Sequence, residues 1–234
     1  MNKLMAISFL VFSVVLTAQT DSPDFYLGIS YGRAFTLGDF GDDDITNPDA
    51  GFAADGSKLD LFGGFFLNEK VTVTGTFRYQ TFTTEIENLI EDISTDNPDL
   101  NFSGSTEDWN VYYLFLGITY KIKVYKRFSL YPRLGIGPMW VDTPGFSIRS
   151  LDNELTQNLS RSSASGLGFA YELGIGLVTN LGKHLSLMPT FTLSGGIATI
   201  QDVENTTDNV VVTSSFDAKV QSFNLGLSLA YRFY

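Results

Sequence analysis

The sequence predicts an all-β chain: an eight-stranded antiparallel up-and-down transmembrane β-barrel, with short turns at one end and long loops at the other. Three observations carry that expectation. Eight stretches alternate with period two, the spacing of strands rather than helices. The connections between them run short and long in turn, as in a meander of neighbouring antiparallel strands. The face opposite the apolar one carries Gly, Ser, Thr and Ala, where a water-facing surface would carry Lys, Glu, Asp and Arg.

The first element is not a strand. Met1-Asn2-Lys3 gives a short positive start, Leu4 to Leu16 is a nearly unbroken apolar run, and Thr17-Ala18-Gln19 offers a small residue for cleavage. That order predicts a signal peptide over residues 1–18, too short to span a membrane as a helix, and a barrel domain over 19–234. Export without a single cysteine excludes disulfides, thiolate metal sites and a lipidated cysteine anchor. A net charge of −11 excludes a nucleic-acid partner, which needs a basic footprint.

The predicted strands begin near Asp24, Lys58, Val71, Asp108, Phe128, Gly166, His184 and Phe216. Leu67–Lys70, Val124–Arg127 and Leu181–Lys183 are the short connections; Gly38–Ser57, Glu85–Glu107, Asp142–Ser165 and Gln201–Ser215 are the long ones. In the last strand Phe223, Leu225, Leu227, Leu229, Tyr231 and Phe233 share one face, and Asn224, Gly226, Ser228, Ala230 and Arg232 the other. The fourth sets Tyr112, Leu114, Leu116, Ile118 and Tyr120 against Val111, Tyr113, Phe115, Gly117 and Thr119. A soluble ligand-binding barrel and a membrane barrel share this alternation, but small residues on the second face suit a narrow lumen and an apolar outside suits lipid. Phe25, Tyr31, Tyr79, Tyr112, Tyr120, Phe128, Trp140 and Tyr231 are placed to form interfacial girdles.

The terminal stretch Asn224-x-Gly226-x-x-Leu229-x-Tyr231 resembles the polar-x-Gly-x-x-apolar-x-aromatic signal by which outer-membrane barrels are recognised for assembly. Residues 19–234 as a whole resemble the small eight-stranded barrels of the OmpA/OmpX type, and also the PorT-like barrels associated with protein secretion. The resemblance implies a place in the outer membrane of a Gram-negative-type envelope, periplasmic termini, and four acidic loops facing outward. Its implied partners are outer-membrane lipid and lipopolysaccharide, the barrel-assembly machinery and another envelope protein. No wall-binding domain follows the barrel, which departs from full-length OmpA-type proteins and from a peptidoglycan-anchor role.

For chemistry the candidates are few. His184, the single histidine, falls in a tight turn at the end away from the long loops, so no catalytic base is placed in a cleft. One histidine and no cysteine also leave no zinc cluster, and no cofactor is called for. Gly135/Gly137 and Gly174/Gly176 have phosphate-loop spacing but sit inside strands, facing a crowded lumen. Alternation turns Asp60, Arg78, Arg133, Glu172 and Arg232 inward. If Leu67 pairs with Val71, Asp60 lies opposite Arg78, so a buried network of Asp60–Arg78 and Glu172–Arg133 is expected, with a pore-selectivity ring as its alternative.

The long loops are acidic: Asp39, Asp42, Asp43, Asp44, Asp49 and Asp55 in the first, Glu85, Glu87, Glu91, Asp92, Asp96, Asp99 and Glu107 in the second. Their spacing does not match an EF-hand, and a solvated acidic surface is the reading adopted. Ile86, Leu89, Ile90 and Ile93 have helical spacing, as do Leu151, Leu155 and Leu159, so short amphipathic turns are expected over the barrel mouth. Arg33 and Lys219 fall on the outward face near the long-loop end, as lipopolysaccharide-phosphate contacts or as snorkelling rim residues. The function expected is non-enzymatic: a membrane scaffold presenting acidic loops for recognition, adhesion or envelope-complex assembly. Its rivals are a narrow pore for small solutes or apolar molecules and an accessory subunit of a secretion system.

Overall fold

Wherever apolar and small residues alternate, the backbone runs as strand. The computed structural model describes residues 25–44, 46–96, 101–125, 128–150, 158–207 and 210–234. The predicted signal peptide lies outside the described residues. In chain order the elements are β1 (Phe25–Thr36), a 3-10 turn (Gly38–Gly41), β2 (Ala53–Phe66), β3 (Val71–Thr84), α1 (Glu87–Asp96), β4 (Phe102–Thr106), β5 (Trp109–Tyr120) and β6 (Ile122–Tyr125). There follow β7 (Phe128–Thr143), β8 (Phe146–Ser150), β9 (Asn158–Arg161), β10 (Ala164–Asn180), β11 (Leu185–Thr207) and β12 (Val210–Phe233).

Eight of these, β1, β2, β3, β5, β7, β10, β11 and β12, form a closed antiparallel ring, the last pairing with the first from Phe25↔Phe233 to Thr36↔Ser222. The register fixes the ring's shape. From Tyr26 the pairing leads through Gly64, Thr74, Gly117, Gly135, Glu172, Ser194 and Ser222, and returns to β1 at Thr36, ten residues further on. Eight strands with that stagger tilt roughly 40–45° to the barrel axis, and the lumen is just wide enough to be filled by side chains.

The two faces divide as the alternation predicts. Val111, Tyr113 and Phe115 are buried in the lumen, while Leu114, Leu116 and Ile118 of the opposite parity stand exposed on the outside. Tyr31, Leu59, Tyr79, Tyr112 and Trp140 are successive register partners, so the aromatics form a row across four strand boundaries. Tyr79 and Tyr112 stack at 5.1 Å, and the Tyr79 hydroxyl donates to Asn110 Oδ1 at 2.6 Å. At the short-turn end Phe25 stacks on Phe233 at 4.3 Å, across the seam that closes the ring. Among the described residues no helix is long and apolar enough to cross a membrane; the strands do the crossing.

The long connections carry strands of their own. β11 and β12 run through the fourth predicted loop as one hairpin, with a bulge between Ile200 and Val203 where Asp202 has φ +57°. The reason lies in Val203, Thr206, Thr207 and Val210–Thr213, β-branched residues that prefer strand whatever their solvation. β9, β8 and β4 add to this hairpin in turn, making a small sheet raised beyond the ring. α1 forms at the helical spacing of the second loop, with Ile86 and Ile90 against Gly104 of β4. Leu159 lies in a strand, not in a helical turn, and Leu151 and Leu155 fall outside the described residues.

Leu116 is 67 % exposed and sits midway between Tyr112 and Tyr120 on the outward face. Leu116→Arg should destabilise the barrel by about 2–4 kcal/mol, the usual charge penalty at a bilayer midplane. Reversible urea unfolding in lipid vesicles measures this. A loss near zero would mean that the outward face does not contact hydrocarbon.

Candidate functional site

The lumen is filled in layers, each set by which strands project into it at one height. Across its middle runs a chain of five ionised side chains. β2 supplies Lys58 and Asp60, β3 Arg78, β10 Glu172 and β7 Arg133. The tight turn after β2 brings Leu67 against Val71, its N–H donating to the Val71 carbonyl at 3.0 Å, and this sets Asp60 opposite Arg78. Arg78 grips Asp60 with two donors, Nε at 2.7 Å and Nη2 at 3.1 Å. Its Nη2 also lies 2.5 Å from Glu172 Oε2, and Arg133 closes on Glu172 from the far side. Lys58 Nζ donates at 3.1 Å to Asp60 Oδ2, the oxygen that Arg78 Nη2 also reaches. Arg78 is fully buried, and its guanidinium carbon lies 5.7 Å from the centre of the Phe115 ring.

The sequence places both predicted pairs, Asp60–Arg78 and Glu172–Arg133, on facing positions, and the structure joins them into one chain through Arg78–Glu172. Lys58 is an addition that the sequence reading misses, although it shares the parity of Asp60. Arg232 is the correction. It is on the inward side, but near the short-turn end, where its Nη2 donates to Asn180 Oδ1 at 2.8 Å and no carboxylate among the described residues pairs with it. Parity fixes the face of a side chain and not its height.

Towards the long loops a neutral polar layer follows. Gln80 Nε2 donates to Asn224 Oδ1 at 2.5 Å, and Asn224 Nδ2 donates to Ser194 Oγ at 3.1 Å, with Ser222 3.0 Å from Ser194. Asn224 and Gly226, two residues of the terminal motif, are therefore lumen residues. A Cβ on Gly226 would fall 2.8 Å from Lys58 Cε, so the missing side chain is what lets the lysine stem pass. Leu229 and Tyr231 of the same motif point outward and are exposed.

Above this layer the lumen is apolar: Phe82, Val111, Met139, Val141, Ile200 and Val220 are among a cluster of buried side chains. The first loop completes it. Its 3-10 turn inserts Phe40 edge-on between Phe82 and Trp109, at 5.0 and 5.3 Å, and Trp109 Nε1 donates to the Gly51 carbonyl at 3.1 Å. Asn47 and the Asp44 N–H hydrogen-bond the Asp42 carboxyl and hold its pKa below the usual range. Lys219 reaches from β12 to Asp39 and Asp49 of the same loop. The sequence reading of Arg33 and Lys219, as phosphate contacts or as snorkelling rim residues, does not foresee these loop carboxylates as partners of Lys219. Arg33 is exposed on the outward face but sits opposite Leu225, six residues from Lys219 along β12.

Two cavities flank the filled region. One at the short-turn end, about 40 Å³ and walled by Tyr26, Tyr131, Arg133 and Arg232, has space for a few waters. The other, about 750 Å³, opens at the long-loop end over Phe40 and Trp109. The two share no lining residue. His184 lies outside both, stacked 5.3 Å from Tyr231 in its turn. Among the described residues no group of three or more His, Cys, Asp or Glu is arranged to hold a metal ion.

A family profile described as "Outer membrane protein beta-barrel domain" matches residues 4–233. Among solved structures, a major outer membrane protein from Thermus thermophilus aligns at a TM-score of 0.51 and 15% identity, over 89% of this chain and 99% of that one. The outer membrane protease OmpT from Escherichia coli aligns at 0.50 and 8% identity, over 94% and 100%. Ail, the attachment invasion locus protein of Yersinia pestis, aligns at 0.45 and 18% identity, over 91% and 99%. No match was found among curated proteins. At these identities the structural likeness is one of fold.

Breaking the ionic chain at its centre removes the shared cation from two buried carboxylates, leaving Asp60 with Lys58 alone and Glu172 with Arg133 alone. Arg78→Ala should cost about 3–5 kcal/mol in vesicle unfolding, whereas Arg232→Ala, at the solvated end, should cost under about 1 kcal/mol. A stable Arg78→Ala barrel would show that the chain is hydrated and not structural.

Proposed function

We propose a role on one premise: the chain belongs to the outer membrane protein β-barrel domain family and resides in the outer membrane of a Gram-negative-type envelope. The role is that of a closed, non-conducting scaffold that holds ordered loops outside the cell for recognition, adhesion or assembly with another envelope protein. The observation that carries it is the filled lumen. An ionic chain, an amide–hydroxyl layer and an apolar cluster lie in series between the two cavities, so an ion or solute meets three dissimilar barriers.

The loop end is built to persist. The raised sheet of β4, β8, β9 and the β11–β12 hairpin gives the outer surface a hydrogen-bonded frame, and the first loop is tied down through Phe40, Gly51 and Lys219. Such a frame suits presentation of a fixed surface. The reading is non-enzymatic. Asp60 and Glu172 are each clamped by two cations and so are poor general bases, and His184 faces the periplasmic end. The proteolytic role named for OmpT is that protein's own, since 8% identity conveys fold alone. Lipid and lipopolysaccharide would surround the outward face, with Arg33 the remaining candidate for a phosphate contact, and the assembly machinery would read the Asn224–Tyr231 segment.

The test is single-channel recording of the mature chain refolded into a planar bilayer. No discrete current steps are expected at moderate voltage. Reproducible steps from the wild-type barrel would overturn the scaffold reading in favour of a pore.

A further inference from the structure

The filled lumen leaves one space that a scaffold does not require. The cavity at the long-loop end, about 750 Å³, lies within the range that holds drug-sized ligands, about 300–1,000 Å³. Phe40 and Trp109 form its floor, and Phe52, Phe146 and Phe216 line its walls. Such a lining favours a flat apolar body.

Among the described residues, one cation faces that space without a counter-charge. β9 pairs Arg161 with Phe146 on one side and Asn205 on the other, and all three line the cavity. The Arg161 guanidinium lies over the Phe216 ring, 4.3 Å from its centre. Its Nε is buried and has no hydrogen-bond partner, and no described carboxylate forms an ion pair with it. Burial lowers its pKa from the ordinary value, with no anion to offset the loss. The acids of the same cavity are engaged elsewhere: Asp49 holds Lys219, and Asp217 Oδ1 accepts from Thr199 Oγ1 at 2.8 Å. A buried N–H donor without a partner is costly, and a guanidinium edge matches a carboxylate with two parallel donors.

We propose that this cavity binds a small aromatic monocarboxylate, its ring system between Phe40, Trp109 and Phe216 and its carboxylate on the Arg161 edge. The proposal rests on the cavity alone and goes beyond the scaffold role. A conducting barrel would overturn that role and leave this site standing.

Trp109 supplies the readout. The chain has two tryptophans, and Trp140→Phe removes the one on the outward face. In that background, refolded into phosphocholine vesicles, 2-naphthoate should change Trp109 emission saturably. Arg161→Gln should weaken binding by about tenfold or more, the worth of one charge-assisted pair. The uncharged 2-naphthamide should bind more weakly than the acid to the unmutated site. Absence of a saturable change, equal affinity in Arg161→Gln, or amide binding as tight as acid binding would each overturn the proposal. If Arg161→Gln does not refold, the acid–amide comparison on the Trp140→Phe barrel still decides it.

Discussion

Hydrocarbon offers no partner to a backbone N–H or C=O, and the rest of this structure follows from that constraint. An open sheet would leave two edges unpaired, so β12 must return to β1, and the Phe25–Phe233 stack sits on the seam. Closure with eight strands then fixes the bore. A narrow bore is dry, and a dry bore tolerates charge only in paired form. The chain Lys58–Asp60–Arg78–Glu172–Arg133 is the solution adopted, cation and anion alternating from one wall to the other. The contents of the lumen are thus a consequence of the solvent outside it.

How much of this is legible in the sequence depends on the distance over which information must travel. Local alternation defines all eight ring strands and their faces. A tight turn extends that to a specific contact, since pairing at Leu67 and Val71 sets Asp60 against Arg78. The Arg78–Glu172 contact is not legible, because β3 and β10 are not neighbours and meet only through the curvature and stagger of the ring. Arg232 shows the same limit from the other side: the correct face, but the wrong height. The loops mislead for a different reason. Their acids give a solvated surface and no strand signal, while Val203, Thr206, Thr207 and Val210–Thr213 are sufficient to carry the β11–β12 hairpin past the membrane. Arg161 gives no signal, because its surroundings come from three other strands, β8, β11 and β12.

The terminal motif shows two demands met by one stretch. As a sequence it reads as an assembly tag, polar then Gly then apolar then aromatic. In the folded ring its inward half is structural. Asn224 knits β3 to β11 through Gln80 and Ser194, and Gly226 gives Lys58 its path to Asp60. The outward half, Leu229 and Tyr231, meets lipid. A substitution at Gly226 therefore strikes the ionic chain as well as any recognition of the segment, and the two effects separate only if stability and assembly are followed independently.

The first loop shows which force closes the mouth. Its acids look like its dominant feature, and two of them, Asp39 and Asp49, do hold Lys219. All three side chains are about half exposed, and ion pairs so placed contribute little and are screened by salt. Phe40, by contrast, is 2 % exposed between Phe82 and Trp109, and burying such a ring is worth about 1.5–3 kcal/mol. The energy of closure is therefore apolar. Lys219 supplies position, holding the loop so that the turn at Gly38, with φ +59°, aims Phe40 into the bore. The same arrangement makes the floor of the outer cavity, so the residue that seals the lumen also shapes the space above it.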